Sequence, residues 1–192
     1  MRDRLPGDWT FDLANRRALE ARVEAALRCH PGLDLTSSST HSFDQLDFQL
    51  VGPGERAVQL ELKAKLQPLS RGWRQLRPDV EPDDLFVLAE LSLRKVVDVG
   101  RLGCLLVRDE PLKRWVLWSA GDLLVASRVR TTRTLRKSAI PVEKGKLLLD
   151  LSEAALRCTR LVDALDALVD IIGQIDRWWT AVEPWPRSRI GA

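Results

Sequence analysis

Residues 41–65, HSFDQLDFQLVGPGERAVQLELKAK, constrain the fold of this chain more than any other stretch. Phe43, Leu46, Phe48, Leu50 and Val51 are β-forming apolar residues that run up to Gly52-Pro53-Gly54, a strong turn signal. After the turn Val58, Leu60, Leu62 and Ala64 alternate with Gln59, Glu61, Lys63 and Lys65, a period of two. The pattern predicts a β-hairpin whose second strand turns Glu61 and Lys63 to one face and its apolar set to the other. If the first strand pairs back across the turn, Asp47 approaches Glu61. Two neighbouring carboxylates repel each other and favour a cation between them. A lysine beside such a pair is placed to act on water that the cation activates, which is the chemistry of phosphodiester cleavage.

In that order Asp47, Glu61 and Lys63 resemble the Asp-x(n)-Glu-x-Lys pattern of the PD-(D/E)XK nuclease superfamily, which includes type II restriction endonucleases and archaeal Holliday-junction resolvases. The stretch Glu20-Ala-Arg-Val-Glu-Ala-Ala-Leu27, Pro31-Gly32, Leu33-Asp34-Leu35-Thr36 and the polar run Ser37-Ser38-Ser39-Thr40 is similar to the resolvase entry, a helix bearing a glutamate, a tight turn, a short strand and a loop. The resemblance spans roughly residues 15–65. Leu46, not the proline that names the family, precedes Asp47, as in many members.

The resemblance implies an α+β fold with a restriction-endonuclease-like αβββαβ core, in which a mixed central sheet is flanked by helices. It implies a Mg²⁺-dependent endonuclease (Mn²⁺ as substitute) that hydrolyses DNA phosphodiester bonds in defence, repair or recombination. Asp47 and Glu61 are then metal ligands, completed by Glu20 on the helix, and Lys63 serves catalysis. Asp44 competes with Asp47 and Glu24 with Glu20; the spacing to Glu61 favours Asp47. A catalytically silent module of the same fold, holding nucleic acid or a protein partner, is the alternative.

Length and composition agree with one domain over residues 1–192, its core at about 11–151 and a helical extension at about 152–180. At 45% hydrophobic and 30% charged residues the chain reads as a globular protein. No apolar run approaches the ~20 residues that span a bilayer. The first residues, MRDRLPGDWT, place no apolar segment behind their charges, so no signal peptide is expected. Cys29, Cys104 and Cys158 fit neither a disulfide framework nor a zinc site, which predicts buried thiols and a cytoplasmic location.

A net charge of +3 permits nucleic-acid binding without demanding it. Arg128, Arg130, Arg133, Arg136 and Lys137 interleave with Thr131, Thr132 and Thr134, a cluster that either contacts phosphates or is a solvated loop. Lys65, on the Glu61–Lys63 face, is a further phosphate candidate. Apolar spacing predicts a helix over 11–29, a short strand at 33–36, and a helix or buried strand from Leu85 toward Gly100. A hairpin at 103–118, a short helix capped by Ser119, a strand at 145–151 and a long helix from Ser152 to Trp179 follow. The Pro- and Arg-rich connection 67–82 carries Trp73, which either joins the core or stacks on a base or sugar. Trp115, Trp118, Trp178 and Trp179 fall on core patterns. His30 closes a helix, and His41 lies near enough to the hairpin site for a substrate contact. On the last helix Val162, Val169 and Ile171 widen the apolar surface, which suggests a homodimer.

Overall fold

The computed structural model describes residues 6–39, 45–135 and 142–181, with the backbone alone at 6–12, 133–135, 142, 176 and 178–181. Helix α1 (Pro6–Cys29) leads into three antiparallel strands, β1 (Asp34–Ser38), β2 (Phe48–Val51) and β3 (Ala57–Lys65). Between β2 and β3 lies a tight 3-10 turn, Pro53–Glu55, in which Gly54 (φ 71°) and Glu55 (φ 59°) take left-handed backbone angles. Only glycine adopts such angles without cost, so Gly54 carries half of the turn. Gly52 is needed for a different reason. A Cβ there would stand 2.7 Å from Ile172 Cδ1, so the hairpin tip seats directly on the last helix.

After β3 the chain forms a short helix α2 (Arg71–Arg74), strand β4 (Leu85–Ala89) and helix α3 (Glu90–Asp98) before β5 (Gly103–Asp109) pairs parallel to β3. A parallel pair needs such a crossover, and α3 supplies its cover. The fit is close: a Cβ on Gly103 would lie 2.1 Å from the Val96 carbonyl oxygen. Strand β6 (Arg114–Ser119), helix α4 (Ala120–Val125), strands β7 (Arg128–Leu135), β8 (Val142–Asp150) and β9 (Leu156–Cys158), and helix α5 (Leu161–Ala181) complete the order. The strands form a mixed six-stranded sheet, β1-β2-β3-β5-β6-β9, and an antiparallel three-stranded sheet, β4-β8-β7. The fold is α+β.

Alternation along the strands sets the layers. Val58, Leu60 and Leu62 of β3 join Phe48 and Leu50 of β2 against Val23 and Leu27 of α1 and Leu165, Leu168 and Ile172 of α5. On the opposite side Leu105, Val107, Val116 and Trp118 pack with Phe86 and Leu88 of β4, Leu147 and Leu149 of β8, Val96 of α3 and Leu123 of α4. The large sheet therefore lies between two apolar layers, and Glu61, Lys63 and Lys65 share the side on which the small sheet packs. No helix among the described residues is long and apolar enough to cross a membrane.

Several sequence expectations change. The Leu85 segment is both alternatives in turn, a strand and then a helix from Glu90. Arg128–Leu135 is strand β7 and not a loop, since Val129, Thr131, Thr132 and Thr134 are β-branched and suit a pleated surface. Ser152 does not open the last helix. Its N–H donates to Asp150 Oδ1 (2.8 Å), which caps only the 3-10 turn Leu151–Glu153. Leu156 then enters β9 beside β6, and α5 begins at Leu161. The small second sheet has no counterpart in the expected αβββαβ core.

On α5, Val169 and Ile171 pack against the core, which leaves Val162 as the exposed residue of the three invoked for a dimer. Of the thiols only Cys104 is buried; Cys29 is exposed and Cys158 half-buried. Trp115 and Trp118 are fully buried. His41, Phe43, Asp44, Arg136 and Lys137 lie outside the described residues, as do the side chains of Trp178 and Trp179.

Candidate active site

The hairpin register pairs Phe48 with Leu60. One step back along β2 and one step on along β3, Asp47 and Glu61 fall opposite each other on a common face. Both are nearly enclosed, at 5% and 3% exposure. An isolated carboxylate at such depth is costly, so its partners are the informative part. Asp47 Oδ2 accepts from the Leu62 N–H at 2.7 Å, and Asp47 Oδ1 accepts from Arg16 Nη2 at 3.3 Å. Lys63 Nζ donates to Glu61 Oε1 and to the Leu62 carbonyl (3.1 Å), and lies 3.8 Å from Asp47 Oδ2. Glu61 Oε2 is buried with no hydrogen-bond partner.

Helix α1 contributes a second pair of charges. Arg16 Nε donates to Glu20 Oε1 at 2.6 Å while the same guanidinium reaches Asp47. Burial disfavours the Arg16 charge, but Glu20, Asp47 and Glu61 outweigh it and raise its pKa above the ordinary arginine value. Three carboxylates thus face two cations. Glu20 is 7% exposed and belongs to this cluster, whereas Glu24 pairs with Arg28 (2.6 Å) away from it.

Among the described residues no group of three or more His, Cys, Asp or Glu side chains is arranged to hold a metal ion. Glu20 is linked to the Asp47–Glu61 pair through Arg16, not as a third converging ligand. The carboxylates of Asp47 and Glu61, the latter with its Oε2 partnerless, and the adjoining Leu62 carbonyl are hard oxygen donors, the type that suits Mg²⁺ or Mn²⁺.

A cleft of about 550 Å³ adjoins the cluster. Arg16 and Glu20 of α1, Lys63 of β3, Trp73, Phe86 of β4 and Lys146 of β8 are among its walls. Asp47 and Glu61 stand behind Lys63 and do not form wall. Trp73 is half-buried and packs against the small apolar cluster of Val80, Leu85 and Leu148, with its remaining surface on the cleft.

The other candidate residues are drawn into structural duties. Lys65, 4% exposed, donates to the Asp83 carbonyl and lies 3.7 Å from Asp109 Oδ2. Desolvation lowers its pKa against the pull of Asp109, and Arg114 adds to the lowering. It is a buried ion-pair partner of Asp109 that also lines the cleft. Arg128 Nη1 donates to the Leu123 carbonyl (2.7 Å), and Arg130 Nη2 meets Glu90 Oε2 at 3.1 Å, so both tie β7 to neighbouring helices. The Arg133 side chain lies outside the described residues. His30 Nε2 bonds Asp166 Oδ1 at 3.1 Å and joins α1 to α5.

Arg16 is the participant that sequence reasoning passed over. Its signal is the Arg16–Glu20 spacing of four on a helix, common to ordinary surface pairs and thus uninformative before the sheet is in place. The sequence singled out Trp73 in the connection 67–82 but not the cleft as a whole, because its walls come from α1, β3, the connection 66–73 and the second sheet. Comparison with family models, with curated proteins and with solved structures returns no match for this chain.

Proposed function

We propose that the protein is a Mg²⁺-dependent nuclease that hydrolyses DNA phosphodiester bonds. The observation that carries this reading is the enclosed Asp47–Glu61 pair held against the Lys63 amine, with one Glu61 oxygen unpartnered. Packing alone gives no reason to retain two acids and a lysine on the inner face of a central strand, since an apolar set of equal volume is commonly as stable or more so. The parallel β3–β5 pair after three antiparallel strands is also the strand arrangement that the PD-(D/E)XK resemblance implies.

Asp47, Glu61 and the Leu62 carbonyl are the groups that would hold the ion. When bound, Mg²⁺ supplies Lewis acidity toward a phosphoryl oxygen and acidifies water. Lys63 orients the attacking water and offsets the negative charge that builds on phosphorus, a role worth about 3 kcal/mol of barrier by comparison with oxyanion donors. Asp47 keeps the Leu62 amide fixed and so holds the Leu62 carbonyl in place. Arg16 balances the acids in the free protein and can pass to a substrate phosphate at the cleft mouth. Defence, repair or recombination is the setting the resemblance suggests. Three free cysteines suit a reducing cytoplasm.

The test is nicking of supercoiled plasmid. Cleavage should require Mg²⁺ or Mn²⁺ and disappear in Lys63→Ala. Metal-independent cleavage, or full activity in Lys63→Ala, refutes the assignment.

One observation favours a second reading. Arg16 and Lys63 already neutralise most of the acidic charge, as suits a catalytically silent module that binds nucleic acid or a protein. Tight binding with no cleavage under any divalent ion would select it.

A further inference from the structure

We propose that the cleft beside Lys63 is a binding site for a single unpaired nucleotide, so that the protein engages single strands or extruded nucleotides in preference to intact duplex. This rests on the site assigned above but concerns what enters it. Four walls bound the recess. Arg16, Leu19 and Glu20 of α1 form one, residues 62–65 of β3 another, residues 66–70 with Trp73 a third, and Phe86, Val87 and Lys146 of the small sheet the fourth. Its volume of about 550 Å³ is in the range of a site for one small molecule.

The lining is chemically mixed. Trp73, half-buried, turns its remaining surface to the recess, while Phe86, 4% exposed, closes the wall from the core. Arg16, Lys63, Lys65 and Lys146 line it together with the carboxylate of Glu20; Arg16 and Lys63 also meet Asp47 and Glu61 behind the wall, and Lys65 lies by Asp109. A planar base laid on Trp73, its phosphate held by guanidinium and ammonium groups, uses both kinds of lining; stacking of this kind tolerates any base. A paired base cannot reach the recess, because its faces are covered by neighbours in the stack. It enters only from a single strand or after extrusion from the helix. Lys63 is common to the cleft wall and the acid pair, so a phosphate bound at the cleft is presented to the proposed site.

The experiment is fluorescence anisotropy with end-labelled oligonucleotides of one sequence, as single-stranded DNA, single-stranded RNA and blunt duplex. It is run in EDTA so that nothing is cleaved. At least one single strand should bind tenfold or more tightly than the duplex. Trp73→Leu, which keeps apolar packing but removes the ring, should weaken that binding about tenfold, while Trp73→Phe largely retains it. Lys146→Gln should weaken binding and lower the slope of log affinity against log salt by about 0.7. Far-UV circular dichroism and thermal melting confirm that each variant is folded.

Equal or tighter duplex binding overturns the proposal, as does wild-type affinity in folded Trp73→Leu. The two claims separate cleanly. Single-strand preference without Mg²⁺-dependent cleavage supports the nucleotide site and fails the nuclease. Cleavage of duplex without single-strand preference does the reverse. The DNA and RNA arms identify which backbone is bound.

Discussion

Asp47 is the residue at which two physical arguments predict opposite signs. Charge repulsion alone says that Asp47→Ala should stabilise the protein by separating Glu61 from a like charge. The structure gives Asp47 a second duty, because its Oδ2 accepts the buried Leu62 N–H at 2.7 Å. Alanine leaves that amide unpaired inside the protein, a cost of about 1–3 kcal/mol. The repulsion relieved is small by comparison, since the Lys63 amine already lies against both acids. The net expectation is a loss of about 2 kcal/mol. With a urea m-value of ~2 kcal/mol/M, the unfolding midpoint of Asp47→Ala should fall by about 1 M. Asp47→Asn should recover roughly half, because its amide oxygen can still accept from Leu62. Glu61→Gln should lie within about 1 kcal/mol of wild type or above it, since Glu61 Oε2 has no partner to lose. Urea titrations followed by tryptophan fluorescence at neutral pH, without divalent ions, measure all three. An Asp47→Ala midpoint at or above wild type with an unchanged m-value refutes the anchoring role.

Burial pushes the Cys104 thiol from its ordinary 9.0 up to about 12. The folded state therefore keeps a proton that the unfolded chain releases, and the associated stability, complete below pH 9, is lost as pH rises toward 12. At pH 11 the loss relative to pH 8 is on the order of 3 kcal/mol, and urea unfolding of Cys104→Ala across that range should show a flatter alkaline limb. Gly103→Ala should cost about 3 kcal/mol or more by thermal denaturation, because its Cβ meets the Val96 backbone oxygen and not a movable side chain. Arg128→Gln with Arg130→Gln should leave nucleic-acid affinity and its salt slope within twofold of wild type. Both groups are already engaged by the Leu123 carbonyl and Glu90, and a large change in slope would return them to the binding surface.

The elements legible in the sequence were those whose pattern is local. The alternation from Val58 to Lys65 has period two, and Gly52-Pro53-Gly54 fixes the hairpin, so Asp47, Glu61 and Lys63 could be placed on one face before any tertiary contact was known. Ser119 announced its helix because the capping exchange with Asp122 lies within four residues. What could not be read depends on distant pairing. β4 finds β8 in a register that sets Leu85 against Asp150, and no local cue in LFVLA distinguishes it from the start of a helix. Lys65 looked like its neighbour Lys63, two residues away on the same face. Only the arrival of Asp109 and Arg114 on β5 and β6 makes Lys65 a buried ion-pair member, although both lysines line the cleft. The Ser152 misreading has the same origin, since a short strand completing the large sheet intervenes before α5 can begin.

Strand β7 is the outer strand of the small sheet, hydrogen-bonded to β8 on one side. Among the described residues no strand pairs its other side, a row of backbone donors and acceptors that an incoming extended segment could continue, the usual route to strand-by-strand aggregation. Arg128, Arg130 and Arg133, spaced along that outer strand, oppose such growth in a simple way. A second copy added in parallel register would set Arg128 against Arg128 and Arg130 against Arg130, with no acid of β7 between them. The arginine run is then a guard on solubility, and it should weaken as salt screens the repulsion.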